Sequence, residues 1–132
     1  TIFLNIFMLD LFITTLLITF IIARFGAHLL HDHEGYKNKR EKSKTPTGVI
    51  RRKTGFNFHH IHLGAIILFI LLPIILIYGI NDTTLILFAI GTSLFIDEIV
   101  PYLFRNIKYF SIKDFFISLF LHLFIIIFYL II

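Results

Sequence analysis

Four long apolar stretches divide this chain, and each is about as long as an α-helix must be to cross a bilayer. They are Ile2 to Ala23, Ile61 to Ile80, Thr84 to Phe104 and Phe115 to Ile132. About 20 residues rising ~1.5 Å each cover the roughly 30 Å of hydrocarbon. Hydrocarbon offers no partner for backbone N–H and C=O groups, so each stretch must be a helix, however rich in β-branched Ile. The expected fold is therefore all-α, a polytopic integral membrane protein built as a four-transmembrane-helix bundle, with residues 1–132 as one membrane domain. Composition points the same way. The mean hydropathy is +0.91, 58% of the 132 residues are hydrophobic and only 15% are charged, which leaves a soluble domain of this size too little polar surface. The first stretch lacks a basic leader and exceeds the usual apolar core of a secretory signal, so it reads as a true span.

The connections are unequal. A polar loop over about residues 24–58 follows the first span, a tight turn at Asn81-Asp82-Thr83 joins the second and third, and Arg105 to Asp114 joins the third and fourth. Asp82 is a candidate cap for the third helix, and Ser111-Ile112-Lys113-Asp114 has the form of a capping box for the fourth. Pro73 and Pro101 fall within or near the ends of spans, where kinks are expected. Eight of the twelve basic residues (Lys37, Lys39, Arg40, Lys42, Lys44, Arg51, Arg52 and Lys53) lie in the first loop. The other four, Arg24, Arg105, Lys108 and Lys113, flank span ends on the same side. That side is expected to be cytoplasmic, or the matrix side of an organellar inner membrane, with both termini opposite. The basic loop, Arg51, Arg52 and Lys53 above all, is a candidate site for lipid headgroups.

The ionisable residues carry the functional signal. With no Cys in the chain, only His, Asp and Glu are available as side-chain metal ligands. Six of the seven His gather at the basic side: His28, His31 and His33 after the first span, and His59, His60 and His62 before the second. Asp97 and Glu98 are placed ~12 Å inside the third span, and His122 at a similar depth in the fourth, as their nearest partner. Such groups in a span are functional by default. His28/His31 and His59/His62 are each spaced i,i+3, which puts each pair on one helix face wherever the helix runs through it. Imidazoles and carboxylates drawn from four helices suit a Zn, Fe or Mn site. The candidate ligands are His28, His31, His59, His62 and His122, with Asp97 and Glu98 as catalytic groups. A common site asks His59, His62, Glu98 and His122 to converge within about 5 Å of one point, given metal bonds of about 2 Å.

The stretches His28-Leu29-Leu30-His31-Asp32-His33 and His59-His60-Ile61-His62 resemble the histidine boxes of membrane fatty-acid desaturases and hydroxylases. That resemblance implies iron at the cytosolic ends of the helices and oxidation of acyl chains. It covers two short segments, and the spacing, the His count and the lack of a third box depart from the family's pattern.

Three functions follow as expectations. The first is a metal-dependent membrane hydrolase or oxidase acting on a lipid or isoprenoid, with a divalent metal as cofactor. The second is an accessory subunit of a respiratory or transport complex. Its motives are small size, the expected lack of an extramembrane domain and a polar face on the first helix, where Asp10, read as an intramembrane acid in the outer half, stands with Asn5, Thr14, Thr15 and Thr19. The third is a proton or metal-ion transporter. Expected partners are membrane lipids, a second copy of the chain or the subunits of a membrane complex, and not nucleic acid.

Overall fold

The computed structural model describes residues 6–34, 59–104 and 111–131, without the side chains of 27–34 and of Tyr102. It is all-helical there, with α1 Ile6–Glu34, α2 His60–Tyr78, α3 Asp82–Leu103 and α4 Ile112–Ile131. All four contain a segment long and apolar enough to cross a membrane. Their exposed surface is made of Ile, Leu and Phe, as at Phe69, Leu76, Phe120 and Phe128, which suits hydrocarbon as the surrounding solvent.

Helix boundaries differ from the expected ones where local chemistry outweighs hydropathy. α1 does not stop at Ala23 but runs ten residues past Arg24 to Glu34, about 15 Å further. Hydropathy ends at Arg24, but the helix-forming Ala27, Leu29 and Leu30 carry the backbone on. The polar loop is shorter by that much. At the other end of the bundle, Asn81 and not Asp82 caps α3. Its side chain accepts the Thr84 N–H at 3.0 Å, while Thr84 Oγ1 accepts the Asn81 N–H at 2.8 Å. Asp82 is already the first helical residue. Gly79, at φ +78°, makes the reversal after α2, a conformation that L side chains resist. Pro73 and Pro101 both remain inside helices.

α3 is the central element: 56% of its apolar span is buried, against 22%, 17% and 17% for α1, α2 and α4. Among the described residues α2 packs on α3 alone, while α1 and α4 pack on α3 and on each other. Gly64 explains how closely α2 lies on α3. A Cβ at Gly64 would stand 2.6 Å from the Phe95 backbone N and 2.7 Å from the Gly91 carbonyl O. Only a residue without a side chain lets the two backbones meet there. The apolar core lies toward the Asn81 turn and is made by Phe12, Leu16, Leu85, Ala89 and Ile126, with Phe12 stacked on Phe88 and Tyr129.

Chain direction fixes the levels. α1 and α3 run from the turn end to the basic end, and α2 and α4 run back. Phe12 stacks on Phe88 at the turn end and Arg24 bonds Asp97 at the basic end, so α1 and α3 are parallel neighbours. Asp10 lies half a turn before Phe12 and is therefore level with the first turns of α3. It is exposed. It lies near the Asn81 end of the bundle, within the apolar segment Ile6–Gly26, and faces away from the other described helices.

Candidate functional site

Asp97 and Glu98 are consecutive on α3, so their side chains leave the helix about 100° apart. They face different neighbours. Asp97 meets α1 and α4; Glu98 meets α2. The expected single cluster is two clusters, side by side at the basic end.

The first cluster is an ion triad. Arg24 donates from Nε to Asp97 Oδ1 and from Nη1 to Asp114 Oδ2. Its Nη2 reaches the Asp97 carbonyl at 3.3 Å. Both carboxylates are fully buried, and the Arg24 side chain is 11% exposed. Ser118 Oγ also donates to Asp97 Oδ1, at 3.2 Å. A planar guanidinium can serve two carboxylates at once because its donors form a rigid fork. The guanidinium carbon lies 5.7 Å from the centre of the Phe20 ring. Phe20 in turn packs on His122, with ring centres 4.5 Å apart.

His122 is buried one step deeper and is satisfied by its own neighbours. Its Nδ1 donates to the Ser118 carbonyl at 2.7 Å, since a carbonyl has no proton to give. That leaves Nε2 of the neutral ring to accept from Ser93 Oγ, at 3.0 Å. His122 was expected to partner the Asp97–Glu98 pair. Arg24 and Ser118 take Asp97 instead, and His59 takes Glu98.

The second cluster lies at the start of α2. Glu98 is 8% exposed in its side chain; its Oε1 accepts from the His59 ring at Nδ1, and His59 is 44% exposed. Oε2 accepts the Ile61 N–H at 2.9 Å, so Glu98 caps α2 from a neighbouring helix and gains from the positive end of its dipole. An ionised carboxylate only accepts, so the His59 proton sits on Nδ1 and the ring is held in one orientation. His62 lies alongside, ring centres 6.1 Å apart, and its Nδ1 accepts the His59 backbone N–H at 3.3 Å. The i,i+3 pair therefore meets by capping, because His59 precedes the helix. His60 is half-buried.

The helix starts give the level of the acid pair within the bundle. His59 is the N-cap residue of α2 and bonds Glu98, while Asp114, in the first turn of α4, shares Arg24 with Asp97. Two of the four helices thus begin at the level of the acid pair. The carboxylates stand at the basic end of the bundle, with His122 and Ser93 deeper. Past them the apolar core around Leu16 and Phe12 closes the bundle.

His59, His62, Glu98 and His122 do not converge on one point, since Glu98–His59 belongs to α2 and His122 to the α1/α4 side. Among the described residues no group of three or more His, Asp or Glu is arranged to hold a metal ion. His28 and His31 lie on α1, which runs helically through both; their side chains, and those of Arg51, Arg52 and Lys53, lie outside the described residues.

Sequence reasoning missed Arg24, treated as a topology charge, and Asp114, treated as a cap. Half of the cap exists, the Asp114 N–H reaching Ser111 Oγ at 3.1 Å, but the carboxylate turns to Arg24. A signal was present: Asp114, Ser118 and His122 are spaced four apart and are buried with Ile126, and Ser93 and Asp97 have the same spacing. Polar residues recurring at i,i+4 in an apolar span mark a face turned to other helices. Searched against known protein families, curated proteins and solved structures, the chain has no match.

Proposed function

We propose that this protein is a small integral membrane enzyme that works at its basic face on the headgroup of a lipid or isoprenoid, with His59 as its acting imidazole and Glu98 as the carboxylate orienting it. One observation carries the reading: a buried carboxylate fixes a half-exposed imidazole at the level where two of the helices begin. A carboxylate-held imidazole is the form used both by a general base and by a metal ligand. Lipid headgroups lie at that level, so the ring and the bond it would attack are brought together by depth alone.

In this scheme Asp97 is not catalytic. Arg24 takes its charge, and its role is to hold α1, α3 and α4 around the site. Where the site carries a divalent metal (Zn, Fe or Mn), His59 is a ligand, and the helical overhang of α1 supplies His28 and His31. A bound metal would lower the pKa of water to make a nucleophile at neutral pH. Arg51, Arg52 and Lys53 hold a headgroup phosphate. The basic face is cytoplasmic, or faces the matrix, and both termini lie opposite. Transport is the weaker reading, because the polar residues leading in from the basic end stop at His122 and Ser93 against the core of Leu16, Ile126 and Phe12.

The test uses purified protein in lipid nanodiscs with phosphatidylglycerol or a polyprenyl phosphate, product analysis by mass spectrometry, and metal content by elemental analysis. Wild type is expected to convert one of the two lipids. His59→Ala abolishes conversion, and Glu98→Gln lowers it about 10–100-fold, the usual effect of losing an orienting partner. Equal conversion by wild type and His59→Ala, or none by wild type with Zn, Fe and Mn each supplied, sinks the proposal.

A further inference from the structure

We infer that Gly64 is a positioning residue: the backbone contact it allows between α2 and α3 sets the distance at which Glu98 holds His59. This builds on the same pair as the proposed function but not on the chemistry assigned to it, and the two are tested by separate readouts.

The argument is one of clearance. α2 touches only α3 among the described residues, so no other helix holds its start in place. Its backbone comes close to that of α3 at Gly64, where a Cβ would lie 2.6 Å from Phe95 N and 2.7 Å from Gly91 O. Both are backbone atoms of a helix and cannot rotate away. Ordinary contact begins at 3.4 Å, so a methyl group at Gly64 moves α2 outward by about 0.8 Å. Ile61 lies three residues before Gly64, less than one turn. The same shift carries the Ile61 N–H to Glu98 Oε2 separation from 2.9 Å to about 3.7 Å, beyond hydrogen-bond range. Glu98 can follow only by turning its side chain out of the one setting in which Oε1 meets His59 and Oε2 meets Ile61 together. The held geometry of the His59 Nδ1 bond is lost with it.

Gly91, on the opposite side of the contact, behaves differently. A Cβ there meets Ile67 Cγ2 at 2.9 Å and the Leu68 side chain at 3.1 and 3.2 Å. Side-chain ends yield by rotation where backbone cannot. Gly91→Ala therefore leaves α2 nearly in place, whereas the two further methyls of Gly91→Val exceed what Ile67 and Leu68 can give. Gly26, with nothing within 4 Å of an added Cβ, is the neutral control on α1.

The experiment is NMR of protein labelled with ¹⁵N-histidine, in detergent. The carboxylate-bound His59 Nδ1–H is identified as the downfield ring proton that disappears in His59→Gln. It is expected to persist in Gly26→Ala and Gly91→Ala and to vanish in Gly64→Ala, while the remaining His signals stay in place. A folded Gly64→Ala protein that keeps the signal overturns the inference. Should Gly64→Ala fail to fold, Gly91→Val decides it from the other side: loss of the same signal supports the inference and an unchanged signal overturns it. Lipid conversion is measured in parallel. Conversion that survives loss of the signal refutes the role given to Glu98 in catalysis and leaves the positioning by Gly64 standing.

Discussion

Arg24 shows how much one side chain can decide. It is the lone basic residue between the first apolar stretch and Lys37, and read by position alone it is a topology marker. In the bundle it is bonded to two fully buried carboxylates on two other helices. A buried ion group is not in itself a source of stability, because desolvation offsets most of the attraction. Removing one member is another matter, since the charges left behind have neither water nor partner. Arg24→Gln is expected to destabilise the protein by about 3 kcal/mol or more, seen as unfolding at a lower SDS fraction in mixed micelles. Adding Asp97→Asn and Asp114→Asn to it should restore most of the loss, because the uncompensated charge is then gone. Unfolding of Arg24→Gln at the wild-type midpoint would show that the triad does not hold these helices together.

At the scale of elements, ends matter more than middles. The interiors of all four helices follow from hydropathy and the demand for internal backbone hydrogen bonds. The ends are set by individual side chains. Asn81 and Thr84 exchange two bonds across the first turn of α3, which leaves Asp82 outside the cap. Asn81→Ala is expected to cost about 1 kcal/mol in the same unfolding measurement, and Asp82→Ala clearly less. The opposite order would return the cap to Asp82. At α2 the start is capped by Glu98 from another helix, so no local pattern could announce it. The continuation of α1 to Glu34 had a local basis in helix-forming residues, but hydropathy alone hid it.

For the whole molecule the telling feature is asymmetry along the bundle axis. One end holds the buried carboxylates Asp97, Glu98 and Asp114 with Arg24 and His59; the other is an apolar core of Phe12, Leu16, Leu85, Ala89 and Ile126 under a capped turn. Chemistry at one end and packing at the other is the arrangement expected of a site reached from a single side of a membrane. The proposed orientation has a direct check, made simple by the absence of native Cys. In intact cells a membrane-impermeant maleimide should label Thr83→Cys and not Lys44→Cys. The reverse labelling would invert the orientation, and labelling of both would end the four-span topology.

The four helices could be read from the chain because each one's demand is local: an apolar run of sufficient length in a solvent without hydrogen-bonding capacity has one backbone solution. The residue types of the site were legible for the same reason, since Asp97, Glu98, His59 and His122 stand out against apolar surroundings. Their partners were not. Arg24 meets Asp97 and Asp114 across 73 and 90 residues, and His59 meets Glu98 across 39. Such pairings depend on how helices are rotated and how closely they approach. Consecutive acids 100° apart on α3 were sent to different neighbours, and Gly64 decided how near α2 could come. Depth was decided in the same way, because it is the level at which other helices begin, and not the distance along its own helix, that tells whether a carboxylate lies within the bundle or at its end.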